Sequence, residues 1–370
     1  MSVRFKRFFT NLRKNKIKTH QDDREKTCDT LFQMLQSVYD LEEHPIYITN
    51  KQAESLGIRI EDMTLVDDNG EYTLHPSDEF FRPLSVEALN AYPLDENDEG
   101  AKRLSESVRC WSKIAKHLEE NSDIAGQSLG GWLVQLAHAR RRVGTGENAT
   151  TTLYNLKTWR LRGLCPDIIN EYYMGMLPLG NAITKIYFIN NSYASAYRRE
   201  NEPHVLHVLH HFYEGNDDIS RGELLTILAT MVTQMEHDYL ESHYITPVLV
   251  ISFMNSFQGR ILQAHVTNNA LLLQKSKLFT FRTKAEFHKS MSLFLRWIAS
   301  DRVGNTHQQV RLDRPQEKPA DVKPALKALE NMFDPPPTDK EPENVSTNIE
   351  EGQIGKGNTV QSVEAQGKKL

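Results

Sequence analysis

Leu224, Ile227, Leu228, Met231, Val232 and Met235 fall three and four residues apart, a spacing that predicts an amphipathic helix with a broad apolar face. Ser220 and Glu223 stand just before it at the spacing of a capping box, in which each side chain satisfies a backbone N–H left over at a helix start. A second box, Thr283-Lys284-Ala285-Glu286, opens a stripe of Phe287, Met291, Phe294, Leu295 and Ile298. Between these helices the period changes. Residues 247–254 (PVLVISFM) form a nearly continuous apolar, β-branched run, which predicts a strand covered on both faces. Gly259 predicts a turn, residues 260–266 a second strand, Asn268-Asn269 another turn and residues 270–274 a third strand. The second half of the chain thus reads as helix, three-stranded antiparallel meander, helix.

The first half is more helical. Leu31, Leu35 and Val38 predict a helix over residues 26–39, followed by a short strand at 45–49. Residues 64–74 read as a hairpin turning at Asn69-Gly70, a pair that accepts the positive φ values of a tight turn. Residues 93–100 are acidic and loop-like. Leu104, Val108, Trp111, Ala115 and Leu118 predict one long helix, and residues 131–142 another. The fold class expected is α+β: a helix-rich N-terminal half with a β-hairpin, the C-terminal helix–meander–helix unit and a disordered tail. The expected division is a basic, flexible segment 1–24, a globular region 25–304 with possible subdomains 25–200 and 201–304, and a tail 305–370.

Composition supports the outer boundaries of that division. Of the 15 prolines, Pro315, Pro319, Pro324, Pro335, Pro336, Pro337 and Pro342 lie in the tail, and Phe333 is its only aromatic residue. Such a segment buries too little apolar surface to offset its ordering entropy. Within it, Leu326, Leu329 and Phe333 could form a helical partner-binding motif at 324–333. Residues 1–20 are basic, with Arg4, Lys6, Arg7, Arg13, Lys14, Lys16 and Lys18 and no acid. They could touch an anionic membrane, act as a targeting peptide, or be a solvated terminus. The start has no long apolar core, so it does not read as a secretory signal, and no apolar run approaches the length of a membrane span.

The net charge of −5 gives no basic excess to suggest nucleic acid. Cys28, Cys110 and Cys165 are far apart and form no metal or redox pair, which suits buried thiols in a reducing compartment. The expected location is cytoplasmic, with mitochondrial or nuclear as alternatives. Sequons at Asn148, Asn190 and Asn344 are then expected to stay unmodified.

Gly126-Gln127-Ser128-Leu129-Gly130-Gly131 carries the most suggestive chemistry. It matches G-x-S-x-G, in which small residues permit a sharp strand-to-helix turn that projects a serine hydroxyl. The stretch resembles the nucleophile elbow of α/β-hydrolases and lipases. That resemblance implies Ser128 as nucleophile and the Leu129 N–H as an oxyanion donor. An acid and a histidine should follow: Asp167, Asp217 or Asp218, with His204, His207, His210, His211, His237 or His243. The plainer reading is a glycine-rich turn whose serine starts a helix.

The second constellation is His204, His207, His210 and His211. On a helix, His204, His207 and His211 would share a face and could share a metal, with Glu214 and Asp217 adding oxygen ligands. The plainer reading is the polar face of an amphipathic helix. No cofactor is indicated. A restriction-type nuclease also sets a meander between helices, but it needs acids on its strands to hold Mg²⁺. Residues 248–254 and 260–266 contain no Asp or Glu, which argues against that class. Arg140-Arg141-Arg142 is a local basic run at a helix end, where cations suit the dipole, and is no nucleic-acid patch.

Pro247-Val248-Leu249-Val250, Ser252-Phe253-Met254, Arg260-Ile261-Leu262, Lys277-Leu278-Phe279 and Phe294-Leu295-Arg296-Trp297 resemble the C-terminal part of a family of uncharacterised filamentous-fungal proteins. Some of its members are encoded beside secondary-metabolite pathways. The resemblance covers residues 224–301 and implies a fold and a lineage, with no catalytic residue to carry over. The function expected is an intracellular accessory or partner-binding protein; the alternative is a serine hydrolase using Ser128.

Overall fold

A computed structural model describes residues 23–42, 45–63, 65, 80–120, 124–144, 149–174, 176–177, 195–199 and 201–312. The expected hairpin apart from Leu65, residues 1–20, the asparagines of the three sequons and the motif at 324–333 lie outside them. The tail expected from residue 305 starts too early: Thr306, Val310 and Leu312 are buried in the body of the protein. The described residues all belong to one unit.

The described residues open with helix α1 over residues 23–39, whose Leu31, Leu35 and Val38 are fully buried. Where one long helix was expected there are two, α2 (Glu99–Arg109) and α3 (Trp111–Glu120), separated at Cys110. Cys110 has a ψ of 76°, which no α-helical residue adopts. Helix α4 (Ala125–His138) begins six residues earlier than its pattern suggests, because Gly126 and Gly130 read as turn residues but are helical. Both capping boxes form, at α5 (Arg221–Glu236) and α6 (Lys284–Ile298).

These helices pack on an eight-stranded sheet. In chain order its strands are β1 (Ile58–Asp62), β2 (Leu161–Arg162), β3 (Ser195–Tyr197), β4 (Val205–Glu214), β5 (Val248–Asn255), β6 (Gln258–Val266), β7 (Leu271–Lys275) and β8 (Phe279–Thr280). Their spatial order is β1-β7-β6-β5-β4-β3-β2, with β8 beside β6. Strands β5, β6 and β7 pair antiparallel. The sheet as a whole is mixed: β4 runs parallel to β5, and β1 parallel to β7. Helix α5 makes the crossover between β4 and β5 that a parallel pair requires. The class is α+β.

Side chains alternate across the sheet, and the alternation assigns the two faces. His207 reaches Thr230 of α5, so His207 and its alternates face that helix. Val208 and Phe253 meet Gly130 of α4 on the other side. There Phe253, Phe281 and Phe294 form an aromatic cluster under α6, with ring centroids 5.3–5.8 Å apart. Gly259 belongs to this cluster and not to a turn. A Cβ there would come within 3.1 Å of both Phe253 and Phe294. The β5–β6 turn falls instead on Ser256 and Phe257, both with φ of 61°. No helix among the described residues is long and apolar enough to cross a membrane.

Candidate functional site

The glycines around Ser128 are explained by packing. A Cβ on Gly126 would stand 3.0 Å from the His211 carbonyl oxygen and 3.0 Å from the Met254 backbone. Gly130 lies against the Phe253 ring and Val208. The two positions, one turn apart, let α4 close directly onto β4 and β5. The strand–turn–helix elbow is not formed. Ser128 is the fourth residue of a helix that starts at Ala125, so the Leu129 N–H is engaged by the Ala125 carbonyl in the ordinary helical ladder. That leaves it unable to serve as an oxyanion donor.

Ser128 does have a histidine partner, one that sequence reasoning missed. His117 of α3 places Nε2 3.2 Å from the Ser128 hydroxyl. His117 is exposed, and its ring lies 5.7 Å from that of Trp132. The six histidines expected as bases lie elsewhere. Of the acids, Asp167 offers its carbonyl to Gln234 of α5 and to His237, on the opposite face of the sheet from α4. The Asp218 carbonyl receives Arg260 at 2.9 Å.

The histidine run is a strand, so the helical face proposed for His204, His207 and His211 does not exist. Valine and leucine on both sides of β4 bury it from Val205 to His211, and a doubly buried strand loses the alternation that would reveal it. His204 donates Nε2–H to the Val303 carbonyl at 3.0 Å. The Thr230 hydroxyl gives its proton to the Thr226 carbonyl, so His207 must donate Nε2–H to Thr230, at 2.9 Å. His210 points to the α4 side. Burial holds all four imidazoles neutral, lowering His207 to about 3 and His204, His210 and His211 to about 4. Among the described residues no three His, Cys, Asp or Glu side chains are grouped to hold a metal.

His211 leads into the most buried polar network. Its Nε2 lies 3.0 Å from the Ser252 hydroxyl, and Ser252 in turn donates to Glu223. Arg260 bridges both Glu223 oxygens, with its Nε 2.9 Å from Oε1. The same carboxylate accepts the Ser220 N–H at 2.9 Å, as capping-box glutamates do. Glu223 and Arg260 are 0% and 1% exposed. Burial alone would raise the Glu223 carboxyl. The Arg260 charge and its hydrogen bonds override that and hold it at about 2. The proton order runs from histidine to serine to carboxylate, opposite to a catalytic triad, in which serine gives its proton to histidine. The network is closed to solvent and satisfied by its own members.

The thiols are less buried than expected: Cys28 and Cys110 are half-buried and Cys165 is exposed. Desolvation still pushes Cys28 up to about 12 and raises Cys165, which disfavours the thiolate at both.

One open cleft is lined by polar side chains. It has a volume of about 510 Å³ and lies between the C-terminal end of α4 and the segment 152–162. Arg160, Arg162, His138 and Asn155 line it beside Tyr154 and Leu161. Arg162 Nε is buried with no hydrogen-bond partner. The imidazole of His138 stands 4.5 Å from the Tyr154 ring, centroid to centroid. All the lining residues but His138 come from the one segment 152–162, and folding brings His138 to them; the pairing of β2 with β3 sets the arginines at a sheet edge.

No family model, no curated protein and no solved structure matches the chain.

Proposed function

We propose that the chain acts by binding, as an accessory or partner-binding protein whose α+β body is a scaffold. The observation that carries this reading is the closure of the sheet's polar network. Glu223, the fully buried carboxylate, commits its oxygens to Arg260, Ser220 and Ser252, which leaves no acid or base for a substrate there. Binding through residues 324–333 remains part of the proposal and lies outside the described residues.

The second reading is a serine hydrolase, favoured by the 3.2 Å contact between Ser128 and His117. Two features weigh against it: the helical bond made by the Leu129 N–H, and the position of Asp167 across the sheet. Treatment of the folded chain with a fluorophosphonate probe, followed by intact mass, separates the two readings. Binding without chemistry gives no adduct. An adduct that disappears in both Ser128→Ala and His117→Ala overturns the proposal and establishes the hydrolase.

A further inference from the structure

The cleft beside β2 has the chemistry of an anion site. Its eight lining residues include two arginines and a histidine, and no Asp or Glu. Two nearby cations are neutralised within the protein. Lys157 pairs with Asp301 at 2.8 Å, and Arg302 pairs with Glu202 while stacking 4.7 Å from the Trp159 ring. Arg160 and Arg162 form no such pair among the described residues. Their spacing of two on an extended segment sends both guanidinium groups to one side.

The buried Nε of Arg162 strengthens the case. A desolvated donor without an acceptor destabilises the folded protein, and an incoming oxyanion would remove that cost. Guanidinium groups match carboxylate and phosphate oxygens in pairs, and charge-assisted bonds of that kind are roughly twice as strong as neutral ones. The rest of the wall suits an organic body attached to the anion. Leu161 is 58% exposed and flanks the site. Thr152 accepts the Asn155 N–H, so its own hydroxyl proton points to other acceptors. A volume of about 510 Å³ falls in the range of small-molecule sites, roughly 300–1,000 Å³.

We propose that this cleft binds a small organic molecule through a carboxylate or phosphate group held by Arg160 and Arg162. The inference rests on reading the chain as a binding protein and names the ligand chemistry of one of its sites.

Isothermal titration of the full chain with phenyl phosphate, benzoate and inorganic phosphate tests it. Arg160→Gln removes an exposed side chain and leaves the fold intact. Arg160→Gln/Arg162→Gln removes the pair, with its unfolding midpoint checked against the parent. Arg59→Gln, exposed and paired with Glu61 on β1, is the control. At least one aromatic probe is expected to bind the parent more tightly than inorganic phosphate. Its affinity should fall about ten-fold or more in the double variant, by less in Arg160→Gln, and not at all in the control. The tighter of the two aromatic probes identifies the oxyanion. Equal affinity for parent and double variant overturns the site while leaving the binding reading standing. No heat from any probe up to about 10 mM, a level that reaches dissociation constants weaker than about 1 mM, overturns the ligand class. Failure of the binding reading itself shows separately, as a Ser128 adduct with the fluorophosphonate.

Discussion

Acidification should unfold this protein well above the pH at which carboxylates titrate. His204, His207, His210 and His211 are buried and neutral, with folded values of about 4, 3, 4 and 4. In the unfolded chain a histidine titrates near 6.5. Between about pH 6.5 and 4 the unfolded state therefore binds protons that the folded state refuses, and stability falls as pH falls. One such histidine costs about 1.4 kcal/mol for each pH unit in that window. Four together cost about 5–6 kcal/mol by pH 5.5, which rivals the whole stability of an ordinary domain, about 5–15 kcal/mol. Glu223 acts in a lower window. Its folded value of about 2 lies below the ordinary 4.5, so its contribution is complete above 4.5 and is lost only towards 2. The slope above pH 5 thus belongs to the histidines. The assay is guanidinium unfolding at pH 7.5, 6.5 and 5.5, followed by tryptophan fluorescence. Burial lowers His138, His243 and His288 as well, which adds smaller shares; His207→Gln, which keeps a donor towards Thr230, should therefore cut the slope by at most about a quarter. A flat stability from pH 7.5 to 5.5, or an unchanged slope in His207→Gln, would refute the burial argument.

Two further outcomes follow from the packing. Gly126→Ala should destabilise by about 1–3 kcal/mol in urea unfolding, although alanine is the better helix former by about 1 kcal/mol. The added Cβ meets two backbone groups at 3.0 Å, and neither can rotate away; a stabilised variant would show that α4 is free to shift outward. Thr230→Val keeps the side-chain shape but removes the acceptor for His207 Nε2–H. It should cost about 1–3 kcal/mol in the same assay, and a neutral result would mean that the histidine is not held by that bond.

Local signals in this sequence were legible and long-range ones were not. Ser220 with Glu223 and Thr283 with Glu286 lie three residues apart, so the capping boxes depend on nothing beyond one helical turn. The partner of Glu223 is Arg260, 37 residues on and brought near only by sheet pairing. The strand 58–62 pairs with 271–275, which no local pattern announces. The histidines misled for a different reason. Spacings of three and four within a run of valine and leucine fit a helix as well as a strand buried on both faces. Around Ser128 the glycines carried a real signal, close backbone approach, but the approach is of a helix onto a sheet and not of a turn around a nucleophile. His117 lies on a separate helix from Ser128, and the cleft arginines become neighbours of His138 only after folding.

The closed scaffold is tested most directly by a double-mutant cycle on Glu223 and Arg260. With both side chains at most 1% exposed, Glu223→Gln and Arg260→Met each strand a buried charge and should each cost about 3–5 kcal/mol. The double variant removes both charges, so its cost should fall short of the sum by about 2 kcal/mol or more. Single variants within about 1 kcal/mol of the parent, with a coupling near zero, would contradict the scaffold and reopen the buried pair as a site of chemistry.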